Sequence, residues 1–197
     1  MPAGLHLWTQ LKAIEQQLAK IVEETQGIYV AQSELDMIRL ARGELDIITP
    51  ETLRALNDYI APTLTPPEFA AWCQRHATCY IDATSWLEAM RNFDFVVGPR
   101  FHGVMLAIQA GTPGGVIAHD SRTFEMCETM CIPVRHYSEI KTPLTSGTLR
   151  SIFEFDDGAY ARRRLELGAA YTEILRAAGV TPSKMLKALV DNSHQAP

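Results

Sequence analysis

"FDFVVGPRFHGVMLAIQAG", residues 93–111, decides how this chain is read. Phe93–Val97, apolar but for Asp94, has the length of a buried strand, and Gly98 and Pro99 end it. From Phe101 apolar residues recur at helical spacing as far as Gly111, a residue suited to the left-handed position just past a helix end. A strand running straight into a helix is half of a βαβ unit. Between the two stand Arg100 and His102, where such junctions are usually built from small residues. Two cation-capable side chains there raise the question of an anion to be held.

The same rhythm continues on both sides. Downstream, "PGGVIAHD" (113–120) reads as a strand and "SRTFEMCETM" (121–130) as a helix, followed by "IPVRHY" (132–137). Upstream, "TCYID" (78–82) is a weak strand and "TSWLEAMRN" (84–92) a helix with Thr84 or Ser85 as its cap. "IYVAQ" (28–32) is a short buried strand. Helices are expected over 5–24, where Trp8, Leu11, Ile14, Leu18, Ile21 and Val22 share a face and Gly27 is the stop, and over 34–42. Two more follow over 49–60, with Thr49 as N-cap and Pro50 at the first helical position, and over 66–76. Residues 151–197 hold two closing helices, 159–179 and 182–190. Strands alternating with helices of about ten residues predict an α/β fold, a Rossmann-like parallel sheet flanked by helices. The whole chain, 1–197, reads as one such domain. It opens almost directly into a helix, and Met1 to Gly4 cannot supply a strand, so the sheet is expected to lack its first strand.

Composition narrows the function. The chain has 197 residues, 47% of them hydrophobic, a net charge of −5 and a pI near 5.7. Its one basic run, Arg162 to Arg164, falls in a helical pattern and reads as a solvated face, so nucleic acid is not an expected partner. No apolar stretch approaches the roughly 18 residues of a membrane span, and "MPAGLHLW" lacks the regions of a signal peptide. The cysteines at 73, 79, 127 and 131 form no C-x-x-C pair, which argues against zinc; Cys127 and Cys131, one helical turn apart, read as core. No metal is expected. A cytoplasmic protein with free thiols fits this usage, with a peripheral place at the inner membrane face left open.

In parallel sheets ligands bind beyond the carboxyl ends of the strands, near helix N-termini. Gly98 is suited to an unusual backbone angle at the turn, and Gly103 to the close approach of a ligand or another backbone. Unpaired N–H groups at a helix start favour an anion, Arg100 adds a planar fork for carboxylate or phosphate, and His102 can donate a hydrogen bond or a proton near neutral pH. The structural alternative is that Arg100 pairs with a protein carboxylate and His102 is a satisfied buried histidine. The next strand end repeats the pattern with His119, Asp120 and Arg122. There the alternatives are that Asp120 or Ser121 caps the helix and that Arg122 bridges to Glu125. Gln32, at the end of "IYVAQ", can reach the same crevice. His76, His136 and His194 have no such context.

Residues 93–133, with Gly98-x-Arg100-x-His102-Gly103, then Ala110-Gly111-x-Pro113, then His119-Asp120-Ser121-Arg122, resemble the signature region of the polysaccharide pyruvyl transferase family. The likeness extends into 28–44 and 155–186. The resemblance implies transfer of the pyruvyl group of phosphoenolpyruvate onto two hydroxyls of a sugar, as a cyclic ketal, in exopolysaccharide or cell-surface glycan assembly. It implies a glycosyltransferase-B-like pair of Rossmann-like domains, of which this chain is the C-terminal, donor-binding portion. On that resemblance the N-terminal acceptor domain is expected to lie outside this sequence, leaving a partner chain or a homo-oligomer open. Phosphoenolpyruvate is the donor and a glycan or lipid-linked sugar the acceptor; no cofactor is implied. By the matching motif Arg100 and His102 contact the donor, with His102 the proton donor, and Asp120 and Arg122 line the cleft with Gly98 and Gly103. Pro99 and Phe101 depart from the pattern, and Gly114 and Gly115 are expected to weaken their strand. A nucleotide-sugar glycosyltransferase half and a non-catalytic module needing a partner are the alternatives.

Overall fold

In the computed structural model the backbone is described for residues 3–32 and 34–191, and the side chains from Leu11 onward within them. Met1, Pro2, His194 and the side chain of Trp8 lie outside the described residues. Helix α1 (Ala3–Thr25) leads into β1 (Tyr29–Val30), followed by α2 (Leu35–Ala41), a 3-10 turn at Leu45–Ile47, α3 (Pro50–Ile60) and α4 (Pro66–His76). Then come β2 (Ala77–Thr78), α5 (Ala83–Met90), β3 (Val96–Gly98), α6 (Phe101–Ala110), β4 (Gly114–Ala118), α7 (Ser121–Met130) and β5 (Val134–His136). A second 3-10 turn (Tyr137–Glu139), α8 (Ser146–Ile152), α9 (Asp157–Ala177) and α10 (Lys184–Asp191) close the chain. None of the described helices is long and apolar enough to cross a membrane.

Every strand pairing is parallel, but the strands form two sheets, β1–β2 and β3–β4–β5. In the larger, Val96 lies opposite Gly114, and Val116 opposite Val134. β4 is wholly buried because helices cover both its faces. Ile117 packs with Ile14, Leu18 and Ile21 of α1 and with Leu149 and Phe153. Val116 and Ala118 pack on the other face with Val104, Ile108 and Cys127. This is the continuous apolar strand expected of a parallel sheet covered on both sides. The smaller sheet belongs to a second cluster, built on Met37, Leu40, Phe69 and Trp72, to which α1 contributes Ala19 and Val22. Helix α1 therefore spans both sheets.

Local signals acted largely as read. Thr49 accepts a hydrogen bond from the Thr52 N–H and caps α3, and Gly111 ends α6 with φ 90°. Four readings change. α5 is capped by Asp82, which accepts from the Ser85 N–H, rather than by Thr84 or Ser85; a carboxylate is the stronger acceptor. α1 stops through Gln26, at φ 55°, with the Gly27 N–H donating to the Val22 carbonyl. Gly114 and Gly115 do not weaken β4. They let neighbours close on it: a Cβ on Gly115 would lie 2.2 Å from Phe153 Cγ, and one on Gly114 2.6 Å from the Val96 carbonyl oxygen. α8, which carries Phe153 against that strand, was not foreseen. All four cysteines are free; Cys127 is buried, but Cys131 is exposed as the C-cap of α7 rather than core.

Candidate functional site

The edge of β1 away from β2 and the edge of β3 away from β4 face a common cavity of about 1060 Å³, lined by Tyr29 and Val30 on one side and Phe95, Val96 and Val97 on the other. Taken side by side, the strands run β2–β1, then the cavity, then β3–β4–β5. Chain order reverses across that gap, so the cavity lies at the topological switch point, the place where open α/β sheets bind ligands.

Its upper end is formed by three strand-to-helix junctions. After β1 come Gln32 and Glu34, the N-cap residue of α2. After β3 come Gly98, Pro99 and Arg100, the N-cap residue of α6. His119 follows β4. Arg100 reaches across the gap to Glu34, Nη2 to Oε1 2.5 Å, although the two residues are 66 apart in sequence. The alternative that Arg100 pairs with a protein carboxylate is thus realised, and on the rim of the cavity, with both side chains roughly half exposed. Gly103 is buried on the first turn of α6; a Cβ there would come within 3.0 Å of Gln32 Nε2 and 3.2 Å of Trp86 Cζ2. Its bare backbone lets those two side chains reach the crevice. Gly98 has no left-handed angle, contrary to expectation, and a Cβ there would meet nothing within 4 Å.

Two polar atoms at this end, Nε1 of Trp86 and Nδ1 of His119, are buried with no hydrogen-bond partner among the described residues, and both residues line the cavity. Leaving such groups unpaired costs about 1–3 kcal/mol each, which marks a place where a polar ligand would be welcome. His119 Nε2 lies 3.4 Å from Asp120 Oδ2. Trp86 is held flat against Tyr80, ring centroids 5.8 Å apart.

The remaining sequence candidates lie further out. His102 is exposed on the first turn of α6, edge-on to Phe101, and is not among the lining residues. Asp120 caps α7, accepting from the Thr123 N–H at 2.7 Å; that bond and the neighbouring cations hold its carboxyl below the usual range. Arg122 is exposed, and no ion pair joins it to Glu125 among the described residues. His76 is buried, its Nδ1 3.1 Å from the Gly27 carbonyl, as befits a structural histidine.

Sequence reading missed Trp86, Glu34 and a further pair deeper in the cavity. Glu15 of α1 accepts a hydrogen bond from the Tyr29 hydroxyl at 2.7 Å. Burial pushes the Glu15 carboxyl above its ordinary range, and burial together with Glu15 pushes the Tyr29 phenol up as well. Glu15 broke the apolar face of α1 and Glu34 stood just before α2; those were the available signals.

Fold and crevice define an α/β protein with parallel sheets flanked by helices and a cavity at the switch point between them. Residues 12–121 match the polysaccharide pyruvyl transferase family, and the chain belongs to that family of transferases. The matched span runs from Lys12 within α1 to the junction after β4, including Gly98, Arg100, His102, Gly103 and Asp120; Arg122 and the closing helices lie beyond it. No curated protein and no solved structure matches the chain.

Proposed function

We propose that the crevice at the carboxyl ends of β1, β3 and β4 binds phosphoenolpyruvate and supports transfer of its pyruvyl group to a sugar diol of a cell-surface glycan. The observation that carries this reading is the pair of orphaned buried polar atoms, on Trp86 and His119, in one cavity with Arg100. An acidic ligand would supply both with partners, and family membership names pyruvyl transfer as the chemistry.

The residues divide the work as follows. Arg100 exchanges Glu34 for the donor carboxylate, a bidentate match. The Trp86 indole N–H and His119 bind the phosphate oxygens, aided by the amides that open α6. His102, exposed on the first turn of α6 just beyond the lining residues, donates a proton to the methylene carbon of a donor seated at the mouth of the crevice; the double bond supplies the electron pair, and C2 becomes an oxocarbenium ion. One sugar hydroxyl attacks C2 and passes its proton to the phosphate oxygens, and the C2–O bond to phosphate breaks as hydrogen phosphate leaves with the bonding pair, regenerating an oxocarbenium ion at C2. The second hydroxyl then closes the ketal, and its proton passes to solvent or back to His102. Cationic groups stabilise the charge that develops on the departing phosphate. Asp120 and Arg122 act at the outer wall, Asp120 by fixing the start of α7 beside His119.

Thermal stabilisation by phosphoenolpyruvate, with a uridine nucleotide as the control, tests this reading. The parent is expected to rise in Tm with phosphoenolpyruvate alone, and Trp86→Phe and His119→Gln to lose most of that rise while folding normally. A rise with the nucleotide alone would instead support the glycosyltransferase alternative.

A further inference from the structure

Glu34 immediately precedes α2 and Arg100 immediately precedes α6, each at the N-cap position, and neither side chain caps its own helix. An N-cap side chain ordinarily accepts from an N–H in the first turn. The Glu34 carboxylate instead crosses the cavity mouth to the Arg100 guanidinium, 2.5 Å away and 66 residues on in sequence. We infer that Glu34 sets which anions the crevice accepts. It holds on Arg100 the place of a ligand carboxylate, so that a ligand with a phosphate group but no carboxylate is rejected. This inference rests on the donor reading above and adds to it a residue that selects the class of ligand.

Two separate needs meet at this rim. The Trp86 indole N–H and His119 Nδ1 are buried with no partner among the described residues, and both residues line the cavity together with Arg100 and Glu34. Arg100, by contrast, is already matched by a carboxylate. A phosphate on its own meets one need at a time. Bound at Trp86 and His119, it leaves Arg100 on Glu34 and lies beside that carboxylate. Bound at Arg100, it displaces Glu34 and leaves the two buried atoms as they were. Glu15, deeper in the cavity, is close enough for its carboxyl to sense the charges of both Glu34 and Arg100, so the acidic character on this side is not confined to Glu34. A ligand carrying both groups gains at both places at once. Its carboxylate returns to Arg100 the same planar, two-oxygen acceptor that Glu34 supplied. The exchange is easy, because both side chains of the pair are roughly half exposed and exposed pairs are weakly held. Such selection works by exclusion: an internal competitor penalises every ligand that cannot replace it.

Calorimetric titration with phosphoenolpyruvate and with inorganic phosphate, at one pH and ionic strength, tests it on the parent, on Glu34→Gln, on Arg100→Ala and on the double variant. Melting without ligand checks that each is folded. The parent is expected to bind phosphoenolpyruvate and to bind phosphate far more weakly. In Glu34→Gln the Arg100 guanidinium can turn to phosphate, whose affinity is expected to rise about tenfold or more, the worth of one charge-assisted hydrogen bond. Phosphoenolpyruvate is expected to gain at most about fivefold, since only an exposed pair no longer has to be broken. The preference for phosphoenolpyruvate therefore narrows, a change that a merely structural role for Glu34 would not produce. In the Arg100→Ala background the Glu34→Gln change is expected to lose its effect on phosphate, because Glu34 acts through Arg100. A parent that binds the two ligands alike, equal gains for both in Glu34→Gln, or a phosphate gain that survives Arg100→Ala would overturn the inference and leave the donor reading standing. A folded parent that binds no phosphoenolpyruvate would overturn both.

Discussion

The three-strand and two-strand halves of the molecule are built from different materials. In the larger half the continuous apolar strand β4 is sandwiched between helices, and glycines at 114 and 115 admit their neighbours to near contact. In the smaller half each strand has only two residues, and the core is made by helices packing on one another around Trp72 and Phe69. Polar contacts supplement it there: His76 to the Gly27 carbonyl, and Glu15 to Tyr29. Both halves border the crevice, the smaller through β1 and the Glu15–Tyr29 pair, the larger through the edge of β3 and the junctions after β3 and β4. Buried polar groups, Glu15 and Tyr29 in the smaller half and His119 in the larger, gather at that crevice.

That contrast can be broken by mutation. The largest effect is expected at Gly115→Val, which drives a side chain into Phe153 and is expected to cost about 1–3 kcal/mol or more by overpacking. Urea denaturation measures it, and a loss below 0.5 kcal/mol would mean that β4 and α8 are not in close contact. In the smaller half, His76→Leu keeps bulk beside Trp72 but leaves the Gly27 carbonyl unpaired, for a loss of about 1–3 kcal/mol. Asp120→Ala removes the cap of α7 and is expected to cost about 1 kcal/mol near neutral pH. Because the folded carboxyl titrates below its unfolded value, that contribution is present above the ordinary carboxylate range and fades as pH falls through the folded pKa. Glu15→Gln has the opposite sign. The folded Glu15 pKa is raised, so its contribution is full below the unfolded value and is lost as pH rises through the folded one. The variant is expected to match the parent in acid and to gain on it toward pH 8, a small effect read from Tm against pH.

How much of this was legible in the sequence divides along the same line. The larger half could be read almost residue by residue, since "FDFVVG" and "PGGVIAHD" carry strand and junction in a few letters and Gly111 marks a helix end. β2 could not: "TCYID" pointed to 78–82, whereas the bridge falls at Ala77–Thr78, where pairing with β1 outweighs local propensity. The site was half legible. Arg100, Gly103 and His119, which line the crevice, stood out because a charged or bare residue after an apolar strand is unusual. Trp86 and Glu34 were not, because an aromatic on a short helix and an acid at a helix start are ordinary locally. Only the meeting of distant junctions, Glu34 with Arg100 and Trp86 with Gly103, gives them meaning.

The most direct test of the central claim is a calorimetric titration of phosphoenolpyruvate into the parent chain and into Arg100→Ala. The account predicts saturable binding to the parent, weakened roughly ten- to hundredfold in the variant by loss of one charge-assisted pair of about 1.5–3 kcal/mol. Equal affinity in the two proteins, or no binding to a folded parent, would contradict a donor site at the crevice between the two half-sheets.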